Sequence, residues 1–344
     1  MVSLEQIRSS NSQIATALPP GLVAVFVGAT GGIGETSMKQ FAKNAVKPRI
    51  YFIGRSKESG NRIRKELLKL NPEGEYFFFS VDASLLRAVD DVCRQIEEHE
   101  CQKDTAINLL FLSTGTLVSG DTEEGLPLAL AVSYYARMRF IVNLMPLIQN
   151  ASHLRRVVSV FAGTKEGAVD TNDLQCRSVS MFTSRGHFSS MMTFALEGIA
   201  KKAPSVSFVH DFPGMVKTNF GSDVKGVMFT VLRAVWNAFF FVVGPFVSTP
   251  FDEAGERQVY FSTSGRFPAG GQGGVPLPKD VEVAFGTDGK TGSGIYSIDN
   301  HGESAPPETQ QLLDKMRKEG TAEKVWSFVE EEFVRITGIR ALRW

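Results

Sequence analysis

Short apolar runs alternate with amphipathic segments over most of the chain. The apolar runs predict six strands, at residues 22–27, 49–53, 76–80, 107–112, 154–160 and 206–210. Apolar positions at helical spacing predict helices at residues 33–45, 58–70, 84–99, 126–148, 185–202, 223–243, 251–263, 308–318 and 321–336. Because strands and helices alternate, the pattern predicts an α/β fold, a doubly wound parallel sheet with right-handed crossovers.

The last part of the chain has a different pattern. Residues 265–292 are rich in glycine and proline, which predicts a loop. A helical repeat returns after residue 307, and apolar residues at this spacing most often pack on the parent domain. We therefore divide the chain into three parts: a main domain (1–264), a connecting loop with a candidate last strand (265–306) and a helical C-terminal extension (307–344).

Residues 227–247 form a long apolar segment, comparable with the roughly 20 residues that span a bilayer. Arg233 and Asn237 interrupt it, and an arginine at mid-membrane costs about 2.5 kcal/mol or more. We therefore predict a helix that covers an apolar substrate cavity, with membrane-surface contact as the alternative.

The composition restricts the classes of partner and compartment. The chain of 344 residues carries 37 basic and 37 acidic residues, so nothing indicates a nucleic-acid partner. Its three cysteines have no metal-ligand spacing, and no metal site is predicted; the odd number favours a reducing, cytoplasmic compartment. The N-terminal residues lack the pattern of a secretory signal. The sequence leaves a homo-oligomer open.

A glycine-rich turn follows the first predicted strand and opens the first helix of the repeating pattern. Gly28, Gly32 and Gly34 permit a tight turn and a close approach of a pyrophosphate, with Thr30 and Ile33 between them. The positive end of the helix would then face the phosphates. The strand, turn and helix together predict a dinucleotide site, whereas a glycine-rich loop without a ligand is the alternative.

The second predicted strand ends at Gly54 and Arg55, where NAD-binding folds place an acidic residue for the ribose hydroxyls. A guanidinium suits a 2′-phosphate instead. The sequence therefore predicts NADP(H) rather than NAD(H), unless Arg55 only belongs to a solvated basic loop.

The Gly28-x-x-x-Gly32-x-Gly34 spacing resembles the short-chain dehydrogenase/reductase family, whose fold is a Rossmann-type sheet. Over about residues 20–264 three further motifs support the resemblance. Asp82 matches the acid that binds adenine, and Ser113-Thr114-Gly115 stands where the family has Asn-Ala-Gly. The family's loop beside the nicotinamide matches Pro213, Gly214, Val216 and Thr218. The layout also resembles members of fungal specialised metabolism.

The resemblance fails at the family's catalytic Asn-Ser-Tyr-Lys tetrad, in which tyrosine moves the proton and lysine lowers its pKa. By pattern alignment the four places hold Ser133, Ala162, His187 and Met191. Tyrosine-driven carbonyl reduction is therefore not expected.

Other residues remain as candidates for catalysis. His187 titrates near neutral pH if unperturbed and can act as acid or base, with a core histidine as the alternative. Arg185 can bind an oxyanion or a substrate carboxylate, with a surface charge as the alternative. Tyr134 and Ser159 are candidate donors, as is Ser133. The long connection 163–184, which carries Lys165, Glu166 and Asp170, is expected to shape the site.

Three functions are compatible with these residues. The first is an NADP(H)-dependent oxidoreductase with an atypical proton relay, acting on a bulky apolar natural-product intermediate. The second is a non-redox isomerase or cyclase on the same fold. The third is a cofactor-bound pseudoenzyme. The glycine turn favours the first two, and the missing tetrad favours the last two.

Overall fold

The computed structural model describes residues 1–179, 181–218, 248–270 and 273–342. Seven parallel strands form one sheet in the order β3-β2-β1-β4-β5-β6-β7. Their bounds are β1 Val23–Val27, β2 Arg49–Gly54, β3 Glu75–Ser80, β4 Leu109–Leu112, β5 Arg156–Val160, β6 Ser207–Asp211 and β7 Ile295–Ile298. The predicted doubly wound parallel sheet is confirmed. The strand order reverses between β1 and β4, where open α/β sheets bind their ligands.

Helices cover both faces of the sheet. The described helices are α1 Leu4–Ser12, α2 Ile14–Ala17, α3 Gly32–Asn44, α4 Lys57–Leu70, α5 Leu86–Lys103, α6 Leu128–Leu130, α7 Ala136–Gln149, α8 Met181–Ala200, α9 Phe251–Thr263, α10 Pro307–Lys318 and α11 Thr321–Thr337. A turn of π-helix at Ala131–Tyr135 joins α6 to α7, so the predicted helix at 126–148 is one helix with a π-bulge. Such bulges occur frequently at functional sites.

The start of β4 differs from the predicted one because a side chain accepts a backbone hydrogen bond there. Strand β4 begins at Leu109 rather than at 107, since the Oδ1 atom of Asn108 accepts the Val23 N–H at 3.0 Å. The sequence pattern missed α1, although Ser3 and Gln6 form a reciprocal capping box at its start. This helix packs on α9, where Asn11 donates to the carbonyl of Glu256 at 2.8 Å.

The C-terminal extension packs on the sheet's outer helices. Helix α11 contacts α8 and α5, and its Val329 and Phe333 are fully buried in the core. A bidentate ion pair joins Arg317 to Glu197 of α8, with N–O distances of 2.7 and 3.0 Å. The extension is thereby part of the same packed unit as the sheet.

The apolar segment 227–247 and the predicted helix at 223–243 lie outside the described residues. Within the ranges that the structure covers, no helix has the length and hydropathy needed to cross a membrane.

Candidate functional site

The glycine turn is pressed against the end of β4. Gly28 has a φ of +83°, and a Cβ atom there would lie 2.8 Å from the backbone nitrogen of Thr114. A Cβ atom on Gly34 would lie 2.4 Å from Oγ of Ser113. Side chains at either glycine would therefore separate the first turn from the loop after β4. Glycine at both positions therefore lets the turn lie directly against the end of β4, at the switch point of the sheet.

The loop after β6 reaches the same turn. Gly32 begins α3 with a φ of +59°, and a Cβ atom there would lie 3.6 Å from Cγ2 of Thr218. In the same loop Val216 pairs with Thr249 in a bridge, and Gly214 has a φ of +76°. The structure thus brings two predicted cofactor motifs, distant in sequence, to the N-terminus of one helix.

The remaining predicted cofactor residues lie along the same edge of the sheet. A Cβ atom on Gly54 would lie 2.3 Å from Oγ1 of Thr30, so the end of β2 touches the glycine turn. Arg55 follows directly and is exposed. Asp82 is also exposed, with one carboxylate oxygen accepting the backbone N–H of Ser84 at 2.9 Å. The other predicted members are Ile33, which is half-buried, exposed Gly115 and half-buried Pro213.

The predicted catalytic residues on the π-bulge lie beside α8. Ser133 is half-buried. The hydroxyl of Tyr134, the neighbour of Ser133, is buried and donates to the carbonyl of Met191, which holds the family's lysine place, at 3.5 Å. Burial raises the pKa of Tyr134 well above its usual value. Because its phenolate would be strongly disfavoured, Tyr134 is unsuited to exchange a proton near neutral pH.

Ser159 does not face the site, which corrects the prediction that it is an available donor. It is completely buried on β5, where Nη1 of Arg137 donates to its Oγ at 2.8 Å. The Ser159 hydroxyl in turn lies 3.4 Å from Sδ of Met192. Both hydrogen-bonding roles of the hydroxyl are therefore occupied by the protein interior.

Arg137 is a buried charge that the sequence reasoning did not single out. Its Nη1 also donates to the carbonyls of Leu112 at 3.1 Å and Val160 at 2.9 Å, and its Nη2 to the carbonyl of Thr114. Burial lowers the pKa of Arg137 to about 9. One guanidinium thus connects the carboxyl ends of β4 and β5 under the candidate site. The available signal was the pair of arginines, Arg137 and Arg139, at the start of a largely apolar helix.

His187 is buried beneath the long connection, with 1% of its surface exposed. Its Nδ1 accepts the backbone N–H of Asp170 at 3.2 Å, so in the neutral ring the proton is on Nε2. Nε2 is buried and has no hydrogen-bond partner among the described residues. Burial lowers the pKa of His187, and the neutral ring is favoured at neutral pH. The expectation of a near-neutral titration is corrected accordingly.

A second polar cluster surrounds Ala162, the place of the family's serine. The N–H of Ala162 donates to Nε2 of His210 at 3.2 Å, and burial lowers the pKa of His210 to about 3. Thr193 lies 3.0 Å from the other ring nitrogen and donates to Oε1 of Glu166 at 2.8 Å. Ser297 of β7 donates to the same oxygen at 2.6 Å. This neutral histidine network holds the connection after β5 against α8.

Arg185 lies closer to the start of α8 than Thr193 does. Its guanidinium carbon is 4.7 Å from the ring centroid of Phe212, the residue that follows β6. The ammonium of Lys165 lies 5.4 Å from the same centroid. Both cations are exposed on their outer sides. They border the loop that begins at Pro213.

Comparisons with known proteins fit this geometry. No protein-family model matches the chain. The chain is 35% identical over 341 residues to oxidoreductase AN1596 of Emericella nidulans, covering 96% of this chain and 97% of that protein. It is 29% identical to the short-chain dehydrogenase/reductase SAT2 of Stachybotrys chartarum, covering 95% of each. A 3-oxoacyl (acyl-carrier-protein) reductase of Agrobacterium tumefaciens, solved with NADP bound, superposes with a TM-score of 0.54 at 16% identity, covering 73% of this chain and 90% of that one.

Proposed function

Because the chain belongs to the short-chain dehydrogenase/reductase family, we propose that it is an NADP(H)-dependent oxidoreductase with an atypical proton relay. The proposed substrate is a bulky apolar natural-product intermediate, as the sequence analysis predicts. The observation that carries the proposal is the meeting of the Gly28–Gly34 turn, Thr218 and the end of β2 at one edge of the sheet.

The described residues fit the cofactor. Glycine at 28 and 34 lets the turn pack against the loop after β4, and this packing places the N-terminus of α3 where it can bind a pyrophosphate. Arg55 supports a 2′-phosphate, and the similar Agrobacterium reductase holds NADP. Asp82 supports the adenine end. Bound NADP(H) supplies or accepts the hydride.

His187 is proposed to hold the substrate oxygen. Its Nε2–H is a buried donor that lacks a partner among the described residues, and buried donors are almost always paired. Protonation would put a second hydrogen on Nδ1, facing the N–H of Asp170. The ring is therefore suited to donate a hydrogen bond from its neutral form rather than to deliver a proton. In carbonyl reduction, the proton that the substrate oxygen takes up then comes from solvent or from the substrate itself.

A second candidate function is a non-redox isomerase or cyclase. It is favoured because buried apolar side chains occupy two positions of the family's catalytic tetrad. Met191 is fully buried where the family has its lysine, and Ala162 is 3% exposed where the family has its serine. These side chains leave no general acid of the usual kind. A reaction that needs a shaped pocket and a hydrogen-bond donor remains within the chemistry of the site.

One incubation separates these functions. The purified protein is mixed with a panel of apolar ketones and the corresponding alcohols, with NADPH or NADP⁺, and product mass and reduced-cofactor absorbance are followed together. A product changed by two hydrogens with matching cofactor turnover supports the oxidoreductase. An isomeric product without turnover supports the second function. A wild-type protein that fails to bind NADPH in a fluorescence titration, in which Gly32→Val is the non-binding control, contradicts the cofactor assignment.

A further inference from the structure

Two cations from different elements converge on one aromatic ring beside the candidate site. Lys165 belongs to the connection after β5, and Arg185 to the second turn of α8. Their charged groups lie 5.4 and 4.7 Å from the centroid of Phe212. A cation at this distance over an aromatic face is attracted by the negative face of the ring. Both charged groups therefore border the same ring.

The positive charge at this place is not neutralised by the described part of the chain. Neither Lys165 nor Arg185 has a carboxylate within 4.0 Å there, whereas the exposed Arg177 in the same connection pairs with Asp121 at 3.2 Å. Burial alone lowers the pKa of Arg185, with no acid acting on it, although Asp170 acts on the nearby His187. Arg185 also lies near the positive N-terminal end of α8, whose first turn contains no acidic residue.

The position of the ring connects this charge to the candidate site. Phe212 is followed directly by Pro213 and Gly214, the loop that leads to Thr218 at the start of α3. The contact with the ring leaves N–H groups of the Arg185 guanidinium able to bind a planar anion. No hydrogen bond from these groups is formed within the described ranges.

We propose that Arg185 and Lys165 form, on the ring of Phe212, a subsite for a carboxylate of the substrate. This inference rests on the proposed function, since it adds an anionic group to the apolar substrate of the same site. The planar fork of Arg185 binds the carboxylate oxygens, and Lys165 supplies a second charge. The substrate is accordingly an apolar acid that enters with its carboxylate beside the loop after β6.

Fluorine NMR tests the subsite with a defined probe. 4-Fluorobenzoate is titrated into the protein saturated with NADP⁺, and 4-fluorobenzyl alcohol serves as the neutral counterpart. We expect benzoate binding to weaken about threefold to tenfold in Arg185→Gln and in Lys165→Gln, the loss of one partly exposed charged contact. Arg185→Lys keeps the charge without the fork and should recover part of the affinity. Arg177→Gln, in the same connection, should leave binding unchanged, and the alcohol should not distinguish any of these proteins.

The outcomes separate the subsite from the proposed function. Equal benzoate affinity of the wild type and a folded Arg185→Gln variant, as judged by circular dichroism, overturns the subsite. Weaker NADPH binding in Arg185→Gln with unchanged benzoate binding assigns the cation to a cofactor phosphate and also overturns it. Failure of the wild type to bind NADPH in a titration without probe contradicts the proposed function, whatever the result with benzoate.

Discussion

At Ala162 a methyl group occupies the place where the resemblance expects a catalytic hydroxyl, and the surrounding bonds show that the protein has adapted to it. Its N–H is bonded to His210, and its carbonyl accepts the hydroxyl of Ser189 at 2.5 Å. Among the described residues, the buried Nε2–H of the neutral His187 has no hydrogen-bond partner, which is why we propose His187 as the donor to the substrate.

Replacing Arg55 tests the cofactor preference at the level of one side chain. Arg55→Asp should weaken NADPH binding by about tenfold or more and narrow or reverse the preference over NADH, because a carboxylate repels the 2′-phosphate. Fluorescence titration with both cofactors measures the change. Arg94→Asp, on the exposed face of α5 and remote in sequence, should have no effect. Equal affinity of the wild type for NADPH and NADH would exclude the role of Arg55.

Replacing His187 tests the proposed donor. His187→Ala should abolish turnover and leave NADPH affinity unchanged. In the wild type, burial lowers the pKa of His187 below its usual 6.5, so the neutral ring persists above that value. Activity should therefore be constant through neutral pH and fall as the pH drops through the lowered pKa. An active His187→Ala variant with the wild-type pH profile would make His187 a packing residue.

At the level of elements, the ends of β4 and β5 are held together by α7 rather than only by the sheet's own hydrogen bonds. Arg137 reaches from this helix to the carbonyls of Leu112 and Val160. Both Nη atoms of this buried guanidinium are hydrogen-bonded, whereas its Nε has no partner among the described residues. The helix thereby sets the spacing of the two strand ends that border the candidate site.

Removing this guanidinium should destabilise the fold. Arg137→Met removes the side-chain hydrogen bonds to the carbonyls of Leu112, Val160 and Thr114 and should lower the free energy of unfolding by about 3 kcal/mol or more. Urea denaturation measures the difference. Arg94→Met, an exposed arginine on α5, is the matched control and should change stability by less than about 0.5 kcal/mol. A loss of similar size in both variants would contradict the role given to Arg137.

At the level of the whole molecule, the C-terminal extension belongs to the same core as the sheet. Phe333 of α11 is fully buried, and the guanidinium of Arg139 lies 5.0 Å from its ring centroid. Arg139 also makes a bidentate ion pair with Asp90 of α5 at 2.6 and 2.7 Å and donates to the carbonyl of Arg340. Arg139 thus connects the residues after α11 to helix α5.

Because of these contacts, we expect a substitution in the extension to lower the stability of the whole protein. Phe333→Ala should lower the free energy of unfolding by about 3–5 kcal/mol, because it leaves a cavity in the shared core. The neighbouring Val334 is 43% exposed, and Val334→Ala should cost about 0.5 kcal/mol or less. Thermal unfolding followed by tryptophan fluorescence and by circular dichroism should give one transition in both. Two separate transitions in the wild type would show that the extension unfolds on its own.

The sequence alone determined the order of strands and helices and the glycine turn, because these depend on local properties. Period-two and period-3.6 apolar patterns report which face of an element is buried, and a glycine spacing reports where a backbone must turn tightly. The pattern missed α1. It also could not show that Ser159 is a poorer candidate than His187 for a donor to the substrate. Nothing local distinguishes a buried serine from an exposed one.

Only the tertiary structure decided which polar groups are occupied and which are available. Ser159 is occupied by Arg137, a residue 22 positions earlier in the chain. His187 has an unpaired Nε2–H among the described residues because Asp170 bonds only its other ring nitrogen. Arg185 and Lys165 come together on Phe212, which follows another strand. Hydrogen bonds and charges act through space, so contacts between distant segments, which the fold creates, set the chemistry of this site.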